Sequence, residues 1–449
     1  MNEKLIEDYK TFLDNGKTER ECVRQIVSLA KAKGYKDIKE FNRLKKGDKV
    51  YITKMDKAIA LFEIGSGSIA DGMNILGAHI DSPRLDAKQN PLYEKENITY
   101  LNTHYYGGIK KYQWTTIPLA IHGVVCKKDG SIVNVVIGED SADPVFCISD
   151  ILPHLAQEQV QKKASEFIAG EDLDLIMGSS IPVKKDAGKD EKKDAKEKSK
   201  KLVLELLKQK YGIEENDFNS AELEIVPAGN ARDLGLDRSM ILAYGQDDRS
   251  CAFTSLAALL DSTAKERTTC CLCVDKEEIG SVGATGMASN LFENMVAEIV
   301  ARTEESYSEL TLRRALSNSN MLSSDVNAAY DPMNAGLFDK ENASVLGGGI
   351  AFQKYTGSRG KSGASDANPE FIAKIRDAMD KAGVSYQLAE LGKVDQGGGG
   401  TIAYHAAKYG MNVLDAGVAV LSMHAPWEIT NKEDLSQIYE GYKAFLQIK

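Results

Sequence analysis

The sequence predicts an α/β fold, in which a central sheet carries helices on both faces. Apolar runs of strand length alternate along the chain with segments of helical periodicity, a pattern typical of this class. Several of the apolar runs end on a histidine or an acidic residue. Because functional sites in such sheets form beyond the carboxyl ends of the strands, these endings also predict where a site lies.

Length, charge and cysteine usage narrow the class of protein. The chain has 449 residues, a net charge of −10 and a pI near 5.4, which indicates a large core, room for two domains and no general affinity for nucleic acid. No apolar run approaches the about 20 residues of a membrane helix, and the first residues lack a signal-peptide core. The seven cysteines lack the spacing of a disulfide framework, so we expect a reducing compartment, the cytoplasm, and no membrane partner.

The first ninety residues combine a helical part with strands. Two helices are predicted within 3–33 and two strands at 58–64 and 73–80. The second strand reaches His79, two residues before Asp81. A histidine at a strand end is most often a hydrogen-bonded core residue, but here the nearby carboxylate can fix the tautomer and turn the ring toward a metal.

The character of the sequence changes at about residue 93. Aromatic residues and glycines come first, followed by short strand-like runs, a segment that contains His154, and a stretch of interleaved lysines and acids that predicts a solvated loop. The runs lie at 117–126, 131–138 and 221–226, the charged stretch at 183–201 and a helix at 202–211. We therefore predict a β-rich insertion at 93–239 within a larger domain formed by 1–92 and 240–449.

The second half returns to alternating strands and helices. Strands are predicted before Asp247, at 268–274, before Asp325 and at 413–423, and helices at 251–265, 284–302, 368–382, 401–409 and 432–447.

Five predicted strands thus end on a histidine or an acid. These residues are His79, Asp247, the pair Glu277 and Glu278, Asp325 and His424. Neighbouring side chains on a strand point to opposite faces, so both glutamates can serve one site only where the strand breaks into a loop, which the following glycine permits. A lone Glu-Glu pair is usually a solvated loop tip, but five such endings together favour a site.

Without Glu277, this set offers two histidines and three carboxylates. Nitrogen and oxygen ligands without a thiolate suit Zn²⁺, and also Co²⁺ or Mn²⁺, and contain too much nitrogen for Ca²⁺. Five ligands exceed what one catalytic zinc takes but fit two divalent ions about 3.5–4 Å apart that share a bridging carboxylate. A bridging water would be the nucleophile and Glu277 the general base, which indicates hydrolysis of an amide or ester.

Taken in order, the motifs resemble the M18 family of metallo-aminopeptidases, of the aspartyl aminopeptidase type. The resemblance spans nearly the whole chain and is carried by Ala78–Pro83, Asp247–Asp248, Asp275–Ser281, Ser324–Val326 and Ser422–His424. It implies a zinc-peptidase-like catalytic domain, with a central mixed sheet flanked by helices, and an inserted β-rich domain that mediates oligomerisation. It also implies removal of N-terminal residues from peptide substrates.

The resemblance implies a role for each site residue. One metal would be held by His79, Asp247 and Asp325, and the other by Asp247, Glu278 and His424. Glu277 would be the general base, and Asp81 would orient His79.

Assembly and specificity also follow from the resemblance. The family forms homo-dodecamers in which the inserted domain lends a histidine to a neighbour's site. His154 is the candidate here, and an ordinary histidine at the start of a helix is the alternative. Acid-preferring members place a basic residue in the first specificity pocket, and no lysine in 349–354 clearly matches it. Lys354, Arg359 and Lys361 are nearby candidates for a preference for N-terminal Asp or Glu.

Two other functions remain open at this point. The same ligands could serve a metal-dependent amidohydrolase or carboxypeptidase of related fold. The chain could also be a catalytically silent shell or binding protein, although such a protein has no chemical need for the ligand set or for Glu277.

Overall fold

A computed structural model describes residues 2–180, 197–264, 266–357 and 359–449. Residues 183–196 of the predicted charged loop lie outside the described residues. In the described part of the chain, no helix combines the length and the apolar character that crossing a membrane requires.

The strands of the described residues are numbered in chain order. They are β1 (Lys36–Asp37), β2 (Lys49–Lys54), β3 (Ala58–Glu63), β4 (Met73–His79), β5 (Arg84–Lys95), β6 (Ile98–Tyr106), β7 (Leu119–Cys126), β8 (Ile132–Ile137), β9 (Leu175–Ser179), β10 (Ala221–Pro227), β11 (Arg232–Leu234), β12 (Met240–Ala243), β13 (Thr268–Val274), β14 (Asn320–Ser323), β15 (Asn327–Ala328), β16 (Ile350–Gln353), β17 (Tyr386–Leu388), β18 (Asn412–Gly417), β19 (Ala419–Val420) and β20 (Glu428–Asn431).

The α-helices of the described residues are numbered in the same way. They are α1 (Glu3–Asn15), α2 (Glu19–Ala32), α3 (Ala164–Phe167), α4 (Lys198–Tyr211), α5 (Gln246–Leu260), α6 (Leu291–Thr303), α7 (Glu309–Ser317), α8 (Pro369–Ala382), α9 (Ala403–Ala407) and α10 (Lys432–Leu446).

The chain divides into two compact units. The main unit contains Met1–Ser82, Ala231–Met423 and Trp427–Lys449, and the second unit contains Pro83–Asn230 with His424–Pro426. These boundaries fall about ten residues before the predicted ones at 93 and 239. The difference arises because β5 already pairs with β6 and β10 of the second unit, whereas β11 pairs with β12 of the main unit.

The main unit is built on a mixed sheet of nine strands. Its order is β1-β2-β3-β13-β4-β14-β18-β16-β17, and the central neighbours β13, β4, β14 and β18 run parallel. One core cluster packs α1, α2, α5, α8 and α10 on one face, and another packs α6, α7 and α9 on the other. The predicted α/β class with a mixed sheet flanked by helices is confirmed.

Strand β13 shows why the central apolar runs form strands. All seven of its side chains are buried. Cys271 and Cys273 enter the first core cluster, whereas Cys270, Leu272 and Val274 enter the second. A strand covered by helices on both faces favours apolar side chains at successive positions, which is the pattern that the sequence shows from Cys270 to Val274.

The second unit contains an antiparallel sheet of six strands. Its order is β8-β7-β10-β5-β6-β9, and each neighbouring pair is antiparallel. The predicted runs at 117–126, 131–138 and 221–226 correspond to β7, β8 and β10 of this sheet.

Several elements predicted from the sequence differ from the structure, of which three are informative. The helix predicted from residue 284 begins at Leu291, because turns occupy the preceding Ser-Gly-rich segment. The strand predicted at 413–423 divides into β18 and β19, and β19 pairs with β15 outside the large sheet. β12 likewise belongs to a separate sheet with β11 and β20. Local periodicity indicates a strand but does not identify its partner.

Asp415 gives the main unit a pH-dependent stability. It is buried in β18, where its Oδ1 accepts a hydrogen bond of 2.7 Å from the Thr401 hydroxyl, and burial raises its pKa to about 6. Since the fold favours the protonated carboxyl, this residue's contribution is most favourable below the unfolded-state pKa. It is progressively lost as the pH rises through about 6.

We predict that Asp415→Asn removes the loss of stability that accompanies ionisation of Asp415. Relative to wild type, the variant's free energy of unfolding should rise by about 2 kcal/mol between pH 4 and pH 7, at about 1.36 kcal/mol per unit of the pKa shift that takes effect within this range. Urea unfolding of both metal-free proteins across this range measures the difference. The pH 4 values, where the Asp415 carboxyl of the folded wild-type protein is protonated, serve as the reference, and a difference independent of pH would contradict the assignment.

Candidate metal centre

Candidate residues follow the ends of three neighbouring strands and lie at one edge of the large sheet. β13 and β14 both run parallel to β4, with Val274 opposite His79 and Ser323 opposite Gly77. His79 ends β4, the Glu277-Glu278 pair follows β13, and Asp325 lies two residues beyond β14. The carboxyl ends of parallel neighbours meet at the same edge, so the predicted convergence of these three endings is observed.

His79 is buried among carboxylates. Its Nε2 lies 3.2 Å from Asp247 Oδ1, 3.9 Å from Glu277 Oε2 and 4.0 Å from Asp325 Oδ1. Its Nδ1 lies 3.1 Å from the backbone oxygen of Asp81 and 3.3 Å from Oδ1 of the same residue. Acceptors beside Nδ1 favour a proton on that nitrogen and direct Nε2 toward the carboxylates.

Asp81 also holds the Glu277-Glu278 segment. Its Oδ1 accepts from the Glu277 N–H and its Oδ2 from the Glu278 N–H, each at 3.2 Å. The two glutamates form a single 3-10 turn, with left-handed Lys276 before it and left-handed Gly280 after it. This turn is the break in the strand that allows adjacent glutamates to serve the same site.

Both residues of the Asp247-Asp248 pair lie beside His79. Gly245 turns the chain in the left-handed region, where a Cβ atom would lie 2.0 Å from Arg249 Nη1. Asp247 then faces His79, while Asp248 Oδ2 accepts a hydrogen bond of 3.3 Å from the His79 backbone N–H. The resemblance favours Asp247 rather than Asp248 as the bridging ligand, whereas the structure also brings Asp248 close to His79 and Asp325.

Two groups of ligand atoms in the described residues could each hold an ion. His79, Asp248 and Asp325 form one group and His79, Asp247 and Glu278 the other, with all ligand atoms in a group within 4.8 Å of one another. The donors are imidazole nitrogen and carboxylate oxygen, a set that fits Zn²⁺. The grouping differs from the one that the resemblance implies, because Asp248 rather than Asp247 joins His79 and Asp325.

The electrostatics of these residues also favour a cation. Burial raises the pKa of Asp325 and of Asp248 well above their ordinary values, and neighbouring aspartates add to the effect. Burial lowers the pKa of His79, but Asp247, Asp81, Asp325 and Glu277 together raise it well above its ordinary value. A divalent ion would reverse these preferences, since it stabilises ionised carboxylates and a neutral imidazole.

The two remaining predicted histidines lie in the second unit. His424 is partly exposed, and its Nδ1 is 2.9 Å from the Gly108 carbonyl oxygen. It belongs to neither group of ligand atoms found among the described residues. His154 is exposed in the short turn Pro153–Leu155.

Comparisons with known proteins agree with the nature of this site. The family profile described as "Aminopeptidase I zinc metalloprotease (M18)" matches residues 12–446. A relative from Clostridium acetobutylicum, named probable M18 family aminopeptidase 1, is 57% identical over 98% of this chain and 94% of its own length.

Solved structures of aminopeptidases also resemble this chain. The crystal structure of an M18 aminopeptidase from Thermotoga maritima has a TM-score of 0.93 and 43% identity, and covers 100% of this chain and 98% of its own. A S. cerevisiae mApe1 structure, described as a dodecamer, has a TM-score of 0.76, covers 98% of this chain and 95% of its own, and at 21% identity shares the fold alone. On the family match and the close relatives, this chain is a metallo-aminopeptidase that belongs to the M18 family of zinc aminopeptidases.

Proposed function

We propose that the chain is a dinuclear-metal aminopeptidase that hydrolyses the N-terminal bond of short peptides, with Glu277 as the general base. The observation that carries the proposal is the convergence of His79 with Asp247, Asp325 and Glu277 at one sheet edge. Two zinc ions are proposed, held by His79, Asp247, Glu278, Asp325 and His424, with Asp248 as a further contributor.

Each residue has a separate task in this proposal. Bound divalent ions would lower the pKa of a water molecule and polarise the scissile carbonyl. Glu277, which lies outside both ligand groups, takes the proton of the water and transfers it to the leaving amine. Asp81 holds the Glu277 N–H and the His79 ring, so it fixes the base relative to a ligand.

We also propose a homo-dodecamer in the cytoplasm, in which the β-rich second unit makes contacts and His154 reaches a neighbour's site. The described dodecamer of mApe1 supports this assembly. Ile151, Leu152 and Leu155 flank His154 and expose 46%, 49% and 69% of their surface. Such a group of apolar side chains is typical of a protein interface. All seven cysteines are free, which agrees with a reducing compartment.

Preference for N-terminal Asp or Glu is the remaining part of the proposal. Among the candidate cations, Lys361 lies 3.2 Å from Asp366 and 3.9 Å from the Tyr355 ring centre. Lys361 therefore already has an acidic partner, and Lys354, Arg359 and Lys361 are all candidates for binding an acidic side chain.

Glu277→Gln should strongly reduce catalysis without loss of metal. We expect turnover of a peptide substrate to fall by about 10²–10⁴-fold, because amide oxygen cannot take a proton from water. Zinc content by elemental analysis should stay at the wild-type value. The matched variant Glu278→Gln should lose zinc as well as activity. Near-normal turnover by Glu277→Gln would refute its role as the base.

Peptides that differ in the first residue, each free or N-acetylated, test the reaction and its specificity. The zinc-loaded enzyme should cleave only free peptides, and those that begin with Asp or Glu should give the highest kcat/KM. Cleavage of acetylated peptides at comparable rates would exclude an aminopeptidase. Equal rates for all first residues would exclude the acidic preference alone.

Mixed assemblies test whether His154 acts in a neighbouring subunit. His154→Ala and Glu277→Gln chains with different tags, co-expressed and purified through both tags, should each be weakly active alone. Together they should recover about a quarter of wild-type activity for random pairing, because some sites combine an intact Glu277 with a neighbour's intact His154. No recovery in mixed assemblies would place His154 outside the neighbour's site.

A further inference from the structure

We propose that Glu428 is a positioning residue for Asp247, and that its buried carboxylate sets where the Asp247 side chain stands in the metal centre. Glu428 Oε2 accepts a hydrogen bond of 3.0 Å from the Asp247 backbone N–H. Only 1% of the Glu428 surface is exposed. The inference rests on the proposed function, since it concerns a ligand of the proposed ions.

Strand pairing brings Glu428 to this position. β20 runs antiparallel to β12, with Glu428 opposite Ala243, the last residue of β12. The chain then turns at Gly245 in the left-handed region and returns over the strand end. This path places the Asp247 N–H beside the first side chain of β20.

The backbone of Asp247 is held from both sides. While Glu428 accepts from its N–H, the Ser82 hydroxyl donates a hydrogen bond of 2.8 Å to its carbonyl oxygen. With both polar backbone groups bound to buried side chains, the Asp247 side chain retains only its own torsions. It is directed toward His79 Nε2, 3.2 Å from Asp247 Oδ1.

Gln246 fixes the strand pair from which Glu428 projects. Its side-chain Nε2 donates to the carbonyl oxygens of Glu428 at 2.7 Å and of Ile241 at 3.2 Å. Its Oε1 accepts from the Thr430 hydroxyl at 2.5 Å and the Tyr9 hydroxyl at 3.1 Å. The amide thus uses both donors and both acceptor sites, which restricts movement of Glu428 relative to residues 246–247.

An ionised carboxylate at this position would have two effects. A carboxylate binds a backbone N–H more strongly than a neutral oxygen does. Its negative charge beside Asp247 also favours a bound cation. Burying a carboxylate is unfavourable in itself, so a residue needed only to fill space could be apolar or neutral. Both effects predict that loss of Glu428 weakens metal binding.

Chelator competition with Zn²⁺ on the full-length chain tests the proposal without relying on activity. Glu428→Ala should weaken zinc binding by about 10- to 100-fold, the range for residues that orient metal ligands. Glu428→Gln keeps an acceptor for the Asp247 N–H but lacks the charge, so its affinity should fall between those of Glu428→Ala and wild type. This variant also preserves the test if the alanine variant does not fold.

Asp434→Ala is the matched control. Asp434 is a buried carboxylate that accepts hydrogen bonds from the backbone N–H groups of Gly347, at 2.8 Å, and Gly349, at 2.7 Å. Its loss should lower stability and leave zinc affinity unchanged.

Three results would overturn the inference. Wild-type zinc affinity in the folded Glu428 variants would do so while leaving the proposed function intact. An equal loss of affinity in Asp434→Ala would show that any buried carboxylate has the same effect. Absence of zinc binding by the wild-type chain would refute the proposed function, and the inference with it.

Discussion

The geometry of the metal centre depends on the contacts of the Asp81 carboxylate. This carboxylate lies beside His79 Nδ1 and accepts the N–H groups of Glu277 and Glu278, so one side chain joins the ends of β4 and β13. Its Oδ1 contacts both His79 Nδ1 and the Glu277 N–H, and its Oδ2 accepts from the Glu278 N–H. A ligand, a second ligand and the proposed base therefore share one reference point, and displacement of Asp81 would disturb all three together.

The concentration of acids at this edge would be unfavourable without a counter-charge. Buried Arg249 offers one positive group, but it donates to the backbone oxygens of Ile80 and Lys17 and so stabilises the chain around the site. The raised pKa values of Asp325 and Asp248 indicate that metal-free protein favours their protonated forms. Metal binding then changes their protonation, so metal affinity and stability are both coupled to pH.

Local sequence patterns predicted the central strands and the residue types that follow them. The apolar runs that form β4 and β13 are covered on both faces and have no other stable location, and the ligand types follow directly from where these runs end. The second unit starts before the predicted boundary because β5, a strand of mixed polarity, already pairs with β10, which is distant in sequence. The local sequence of β12 correctly predicted a strand, but it did not indicate that this strand belongs to a separate sheet with β11 and β20.

The contacts that position the ligands could not be predicted from local patterns. Glu428 and Asp247 are 181 residues apart, and Ser82 and Asp247 are 165 apart. Neither Glu428 nor Ser82 has a spacing that indicates its partner, because the partner is determined by strand pairing and by a turn at Gly245. The placement of Asp248 has no local signal for a related reason: its hydrogen bond is with the His79 backbone, and any residue type supplies a backbone N–H. Sequence therefore identifies ligand chemistry, whereas long-range hydrogen bonds to the backbone determine whether those ligands meet at the distance that catalysis needs.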